Sequence, residues 1–183
     1  MGPPLAGRGH LAPPESMTAD AACVHLECGR QTFRPAPDGR VRWLDRDSDF
    51  DLAHEAWQFN GIAITRADWD DWHGEGYRYC GIVENHRLIA SAAVWAYSPA
   101  AWELAAVHTR HAYRRRGYAR AVCSFATAHI LGHARTATCT TLADNTPMLE
   151  LAASLGFQPI DTALRRGPDR PPRRSGPGLR TSG

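Results

Sequence analysis

Two strand-like runs, Tyr77 to Glu84 and Leu88 to Tyr97, flank the short polar stretch Glu84-Asn85-His86-Arg87, which predicts a hairpin. Trp102 to His108 reads as a further strand. The apolar period then changes from two to about 3.6. Ala119, Val122, Phe125, Ala126 and His129 fall on one helical stripe that Gly132 ends. Thr138 to Leu142 is short and β-branched, a strand. Pro147 opens a last helix with Met148, Leu151, Ala152 and Leu155 inward and Gly156 as its stop. Phe157 to Leu164 predicts one more strand. Upstream, Val41 to Leu44 predicts a short first strand. Asp49 or Ser48 caps a helix through Phe50, Ala53 and Trp57, closed by Gly61. Thr65-Arg66-Ala67-Asp68 is a capping box for a second short helix, with Trp69 and Trp72 on one face. The order β-α-α-β-β-β-α-β-α-β predicts an α/β sheet with helices on its faces.

The ends carry no such pattern. Residues 1–37 and 167–183 are rich in Gly and Pro and are expected to be disordered tails around one domain at 38–166. Deleting tail residues 1–37 and 168–183 is therefore expected to leave stability nearly unchanged. Charge divides along the same boundary. The formal net charge is +2, and all 21 basic residues are arginine. Residues 165–183 hold six arginines against Asp169, so the rest of the chain is net acidic. That balance argues against a nucleic-acid binder, except through the tail. Five cysteines form no repeated pair, and Cys23 to Cys28 finds no second half of a zinc site, so no metal is expected. No apolar run approaches the roughly 20 residues of a membrane helix. The first residues lack the apolar middle of a signal peptide, so a cytoplasmic location is expected.

Candidate chemistry concentrates where the strand ending at Val107-His108 runs through an arginine-rich turn into the helix at Tyr118. The first turn of a helix offers unpaired N–H groups and partial positive charge. Gly117 lets a phosphate approach the backbone, Ala119 is small, and Arg114, Arg115 and Arg116 add fixed charge. These residues suit a diphosphate of any kind, and a solvated basic turn is their plain alternative.

The stretch Glu103 to Ala119 resembles motif A of the GNAT superfamily of N-acetyltransferases, a strand running into an Arg/Gln-x-x-Gly-x-Gly/Ala loop. Here Arg114, Gly117 and Ala119 take the defining positions. Asp144 to Phe157 looks like motif B of the same family: an Asn at a strand exit, a helix, and a closing Gly-Phe. The resemblance covers roughly Val41 to Leu164. It implies the acyl-CoA N-acyltransferase fold, a mixed, mostly antiparallel twisted sheet with helices on both faces. It further implies acetyl-CoA as co-substrate and direct transfer of an acetyl group to a primary amine.

By the same resemblance, Val107 and Thr109 would pair with the pantetheine arm. Arg114, Arg115, Arg116, Gly117, Tyr118, Ala119 and Arg120 would surround the pyrophosphate. Asn145 would reach the pantetheine region, although its position before Pro147 equally suits a helix N-cap. Glu103 matches the position where several members carry a glutamate base, and an exposed strand carboxylate is the alternative. His108 is a second candidate base or a packing residue. The Val107 N–H would stabilise the developing oxyanion. Two departures stand out. Ala152 occupies the position where many members carry a tyrosine acid, and Leu164 to Pro168 breaks the pattern where a seventh strand is usual. Both leave a non-catalytic acyl-CoA-binding module as the rival reading, and the second leaves a homodimer open. The acceptor would be a small-molecule or peptide amine. The aromatics Trp57, Phe59, Trp69 and Trp72 mark either its pocket or the core.

Overall fold

The computed structural model describes residues 23–58 and 61–160. Seven strands form one sheet in the order β2-β3-β4-β5-β6-β1-β7. In chain order they are β1 (Cys23–Gly29), β2 (Arg42–Trp43), β3 (Tyr77–Glu84), β4 (Arg87–Trp95), β5 (Ala101–Thr109), β6 (Thr136–Leu142) and β7 (Gln158–Pro159). Four helices accompany them: α1 (Phe50–Gln58), α2 (Arg66–Gly74), α3 (Tyr118–His133) and α4 (Thr146–Ser154). Only β5 and β6 pair in parallel; every other neighbouring pair is antiparallel. The expected mixed, mostly antiparallel sheet with helices on both faces is what the chain forms.

Local signals account for the well-placed elements. Thr65 and Asp68 close a complete capping box on α2. Asn85 and His86 both adopt positive φ, the two-residue turn whose twist matches a hairpin. On one face, α3 and α4 bury Val122, Ala126, Ile130, Ala152 and Leu155 against Leu26, Cys28, Ile82, Leu104 and Cys139 of the sheet. On the other, α1 and α2 bury Ala53, Ala56, Trp57 and Trp69 against Leu88, Tyr79 and Ala93. Trp57 and Trp69 are therefore core residues, which decides one of the two readings left open for them; Phe59 lies outside the described residues. Asp49, foreseen as a cap, turns its carboxylate instead to Arg42 and to the N–H of Asp45.

The main correction concerns the first 37 residues. Cys23–Gly29 is a strand, and it pairs with β6 along that strand's whole length, from Cys23↔Leu142 to Gly29↔Thr136. On its other side it pairs with β7. Leu26 and Cys28 enter the core, and Val24 packs against it. A period of two was present in Val24, Leu26 and Cys28, but it was too short, among Gly and Pro, to stand out. The segment after it is tied down as well. Arg34 N–H bonds the carbonyl of Leu155, and Ala36 N–H bonds Ser124 Oγ. Gly156 has φ 93°, and a Cβ there would collide with the Thr32 carbonyl, so the close approach requires glycine. The expected gap in the sheet is thus closed from the N-terminal side. The last strand is two residues long where Phe157 to Leu164 was expected; residues 1–22 and 161–183 lie outside the described residues.

If β1 is part of the core, Leu26→Ala should lower stability by about 3 kcal/mol, as for other buried leucines. Urea denaturation measures it. Removal of residues 1–37 should then unfold the domain, contrary to the expectation from composition. An unchanged melting temperature in that truncation would show that β1 contributes nothing.

Candidate active site

The site begins where two strands part. β5 and β6 pair only at Ala101↔Thr136, Trp102↔Ala137 and Glu103↔Thr138. Beyond that point β5 continues to Thr109 and β6 to Leu142 without pairing to each other. The separation has local causes. In β5, Ala105 stands opposite Ala93 and His108 opposite Ser91, so three steps of β5 match two of β4. The extra residue is Ala106, whose φ of 47° makes a β-bulge that bends the strand. Meanwhile β1 holds β6 from the far side. Among the described residues, no strand pairs with the edge of β5 from Leu104 to Thr109 that faces β6, and an extended ligand could pair there.

At the mouth of this cleft β5 ends in a 3-10 turn, His111–Tyr113, followed by the first turn of α3. Gly117 takes the N-cap in left-handed backbone with φ 83°, and a Cβ there would meet nothing within 4 Å. The space before the helix is open, so the fit to a phosphate group is good. Arg114, Arg115, Arg116, Gly117 and Arg120 are exposed, while Tyr118 and Ala119 are half-buried. Arg114 Nε donates to the Thr109 carbonyl, Arg115 has φ 63°, and the Arg116 guanidinium lies over the Tyr113 ring. One residue of the basic run behaves differently. Arg110 is buried, with Nε on the Leu88 carbonyl and its guanidinium paired with Glu55 of α1, so it anchors β5 and is not a surface charge.

Two residues at the loop were not foreseen. The Arg40 guanidinium lies 5.0 Å from the Tyr118 ring centroid and pairs with Asp38 and Glu84. Glu84 also accepts from the Tyr118 hydroxyl at 3.1 Å. No local pattern marks them, because both reach the loop through tertiary packing. Asn145 does cap α4: its side chain accepts from Met148 N–H, and its Nδ2 donates to Thr141 Oγ1 at the open end of β6.

Register settles the faces of β5. Leu104 and Val107 pack toward α3. Ala105 packs toward α1 and α2, and strand alternation puts Glu103 on that same face, with His108 beyond the bulge. Glu103 is half-buried beside Trp95 and Thr138. Burial and the charges of Arg110 and Arg114 lower the His108 pKa to about 4, so its imidazole is neutral at neutral pH. Burial holds the Cys123 thiol well above its ordinary range and pushes Cys139 to about 12. Neither presents a thiolate nucleophile. A concavity of about 570 Å³ among Gly29, Arg30, Pro99, His133 and Arg135 lies at the C-terminal end of α3. The carbonyl end of the α3 dipole faces it, whereas the open N-cap at Gly117 lies at the opposite end of the helix.

The parted strands, the bulge and the glycine-capped helix make one arrangement. The fold is that of the GNAT superfamily. The family described as FR47-like protein matches residues 79–166. Solved structures agree. A GNAT-family protein of Novosphingobium aromaticivorans is 20% identical, with TM-score 0.64, covering 76% of this chain and 60% of its own. A GNAT-family acetyltransferase of Colwellia psychrerythraea is 16% identical, with TM-score 0.59, covering 76% and 53%. The ribosomal-protein-S18-alanine N-acetyltransferase of Escherichia coli is 19% identical, with TM-score 0.54, covering 63% and 75%. The chain thus spans only about half to three-fifths of the length of the first two. No curated protein matches the sequence. Among the described residues no helix is long and apolar enough to cross a membrane.

Gly117→Glu should abolish coenzyme A binding by calorimetry, since the added carboxylate enters the open space before α3. Gly117→Asn, better tolerated in left-handed backbone, should keep more of it. Equal affinity in a folded Gly117→Glu protein would remove the phosphate assignment. A second expectation concerns acid. His108 and His129 both have pKa values lowered to about 4 by burial, whereas the unfolded chain protonates them near pH 6.5. Stability should be full above pH 6.5 and fall as pH drops toward 4. Melting temperatures across that range should show a shallower slope in His108→Gln.

Proposed function

We propose that the protein transfers an acetyl group from acetyl-CoA to a primary amine, directly and without a covalent enzyme intermediate. The observation that carries this reading is the cleft that opens beyond Glu103↔Thr138 and ends at the open N-cap of α3. The residues fit the co-substrate. The β5 edge around Val107 and Thr109, where only the Thr109 carbonyl is already engaged, by Arg114 Nε, suits its amide-bearing arm. The N–H groups of Gly117 to Arg120, with Arg114 to Arg116, suit its pyrophosphate. Asn145, at the other lip, keeps its cap and presents its amide beside Thr141. When bound, acetyl-CoA supplies an activated thioester carbonyl.

This chain's residues would do the rest. Glu103, just below the parting point, takes the proton from the incoming ammonium, directly or through a water, freeing the nitrogen lone pair. The C–N bond would form as the C–S bond breaks, and the second proton of the attacking nitrogen would pass to solvent. The Val107 N–H, next to the bulge, donates to the carbonyl oxygen as it gains charge. The departing thiolate takes its proton from solvent, since Ala152 is buried in the core and offers no hydroxyl. His108 is the weaker base: burial, and then the neighbouring Arg110 and Arg114, oppose its protonation. The buried Ala152 also favours the second reading, an acyl-CoA-binding module without turnover.

Glu103→Gln is nearly isosteric and tests the assignment. Turnover in a thiol-release assay against an amine library should fall by about 10²–10⁴-fold, with coenzyme affinity nearly constant. The rate should rise with pH through the base's ionisation in the wild type, and that limb should flatten in the variant. Wild-type turnover in Glu103→Gln, with loss in His108→Ala, would move the base to His108. No thiol release with any amine would favour the binding module.

A further inference from the structure

Aromatic rings hold the arginine-rich loop at both ends. Tyr113 closes the 3-10 turn before it, and Tyr118 is the first residue of α3 after it. Their rings meet edge to face with centroids 5.9 Å apart. A guanidinium lies over each ring, Arg116 at 5.7 Å from the Tyr113 centroid and Arg40 at 5.0 Å from that of Tyr118. Between the rings, Arg115 and Gly117 both take left-handed backbone, with φ 63° and 83°. That conformation is costly for arginine, so local preference alone does not hold the loop in shape. The N-cap Gly117 makes no side-chain hydrogen bond either. The first turn of α3 therefore takes its position from contacts outside itself.

One such contact ties the loop to the sheet. The Tyr118 hydroxyl donates to Glu84 Oε1 at 3.1 Å, and Arg40 Nη1 donates to the same oxygen at 3.1 Å. Glu84 is the last residue of β3, paired with Arg87 directly before the Asn85-His86 turn, so the hairpin fixes its backbone. Asp38 fixes Arg40 in turn, accepting from its Nε and Nη2. The Tyr118 ring packs against the core. For a phosphate site this placement of a carboxylate is unfavourable. Glu84 and Asp38 bring two negative charges against the one positive charge of Arg40, close to a helix start that suits an anion. By charge alone the site would bind phosphate better without Glu84. What Glu84 offers in compensation is its hydrogen bond to Tyr118.

We propose that Glu84 is a positioning residue for the coenzyme's diphosphate. Through the Tyr118 hydroxyl it holds the first turn of α3, and with it the N–H groups of Gly117 to Arg120, in the arrangement that binds. Only molecules with that turn in place are competent, and the apparent affinity scales with their fraction. The inference rests on the coenzyme reading of this loop, and the test below separates the two.

Calorimetry with coenzyme A compares the wild type with Glu84→Ala, Glu84→Gln and Tyr118→Phe. Glu84→Ala should weaken binding about two- to tenfold, the range of one hydrogen bond, although it removes a negative charge. In thiol release, KM for acetyl-CoA should rise by the same factor with kcat unchanged. Glu84→Gln keeps an oxygen acceptor for the Tyr118 hydroxyl and should bind at least as tightly as the wild type. Tyr118→Phe should match Glu84→Ala, and the double variant should lose no more than either alone. Equal or tighter binding in Glu84→Ala overturns the inference and leaves the phosphate site standing. So does a loss that Glu84→Gln shares, or losses that add in the double variant. Absence of coenzyme A binding by the wild type overturns the coenzyme reading itself, and this inference with it.

Discussion

Separating two neighbouring strands of one sheet leaves backbone N–H and C=O groups without partners, and a fold must be held open to keep them so. Here β5 and β6 stay together for three residue pairs and then diverge. Three features hold the divergence. The bulge at Ala106 turns β5 away, β1 occupies the far edge of β6 along its full length, and α3 fills the space beneath. The cleft, the helix that ends at it, and the Glu103 carboxylate beside it all take their positions from that divergence.

Electrostatics at the mouth of the cleft are mixed. Arginines 114 to 116 are exposed around the N-cap of α3, but Glu84 sits within reach of Tyr118 and Arg40. A bound phosphate would therefore compete for cations already partly engaged, and Arg40 could serve either partner. Arg110 differs from its neighbours because it is buried. Its pairing with Glu55 fixes the end of β5 against α1, so one charge of the run is spent on positioning the strand that carries Glu103. The other face of the sheet is apolar and aromatic where α1 and α2 cover it.

Much of this organisation could be read from the amino acids alone, wherever the cause was local. The capping box of Thr65 and Asp68, the Asn85-His86 turn, the helical stripe from Ala119 to His129 and the glycine at 117 are set by residues within a few positions of each other. So was the location of the arginine-rich turn after a strand, and with it the resemblance to the GNAT pattern. What local pattern could not decide was pairing across the chain. Cys23–Gly29 carries only three inward residues, and its value comes from β6, more than a hundred residues away. The bulge at Ala106 needs the register of β4 to exist at all. For Trp57 and Trp69 a pocket remained open beside the core until α1 and α2 were packed on Tyr79. Glu27, Thr138 and Glu103 share a row only because three distant strands align. Backbone propensity and side-chain period act over a few residues and so determined the elements; hydrogen-bond register and burial act through space, and only the folded sheet decided which side chains would meet.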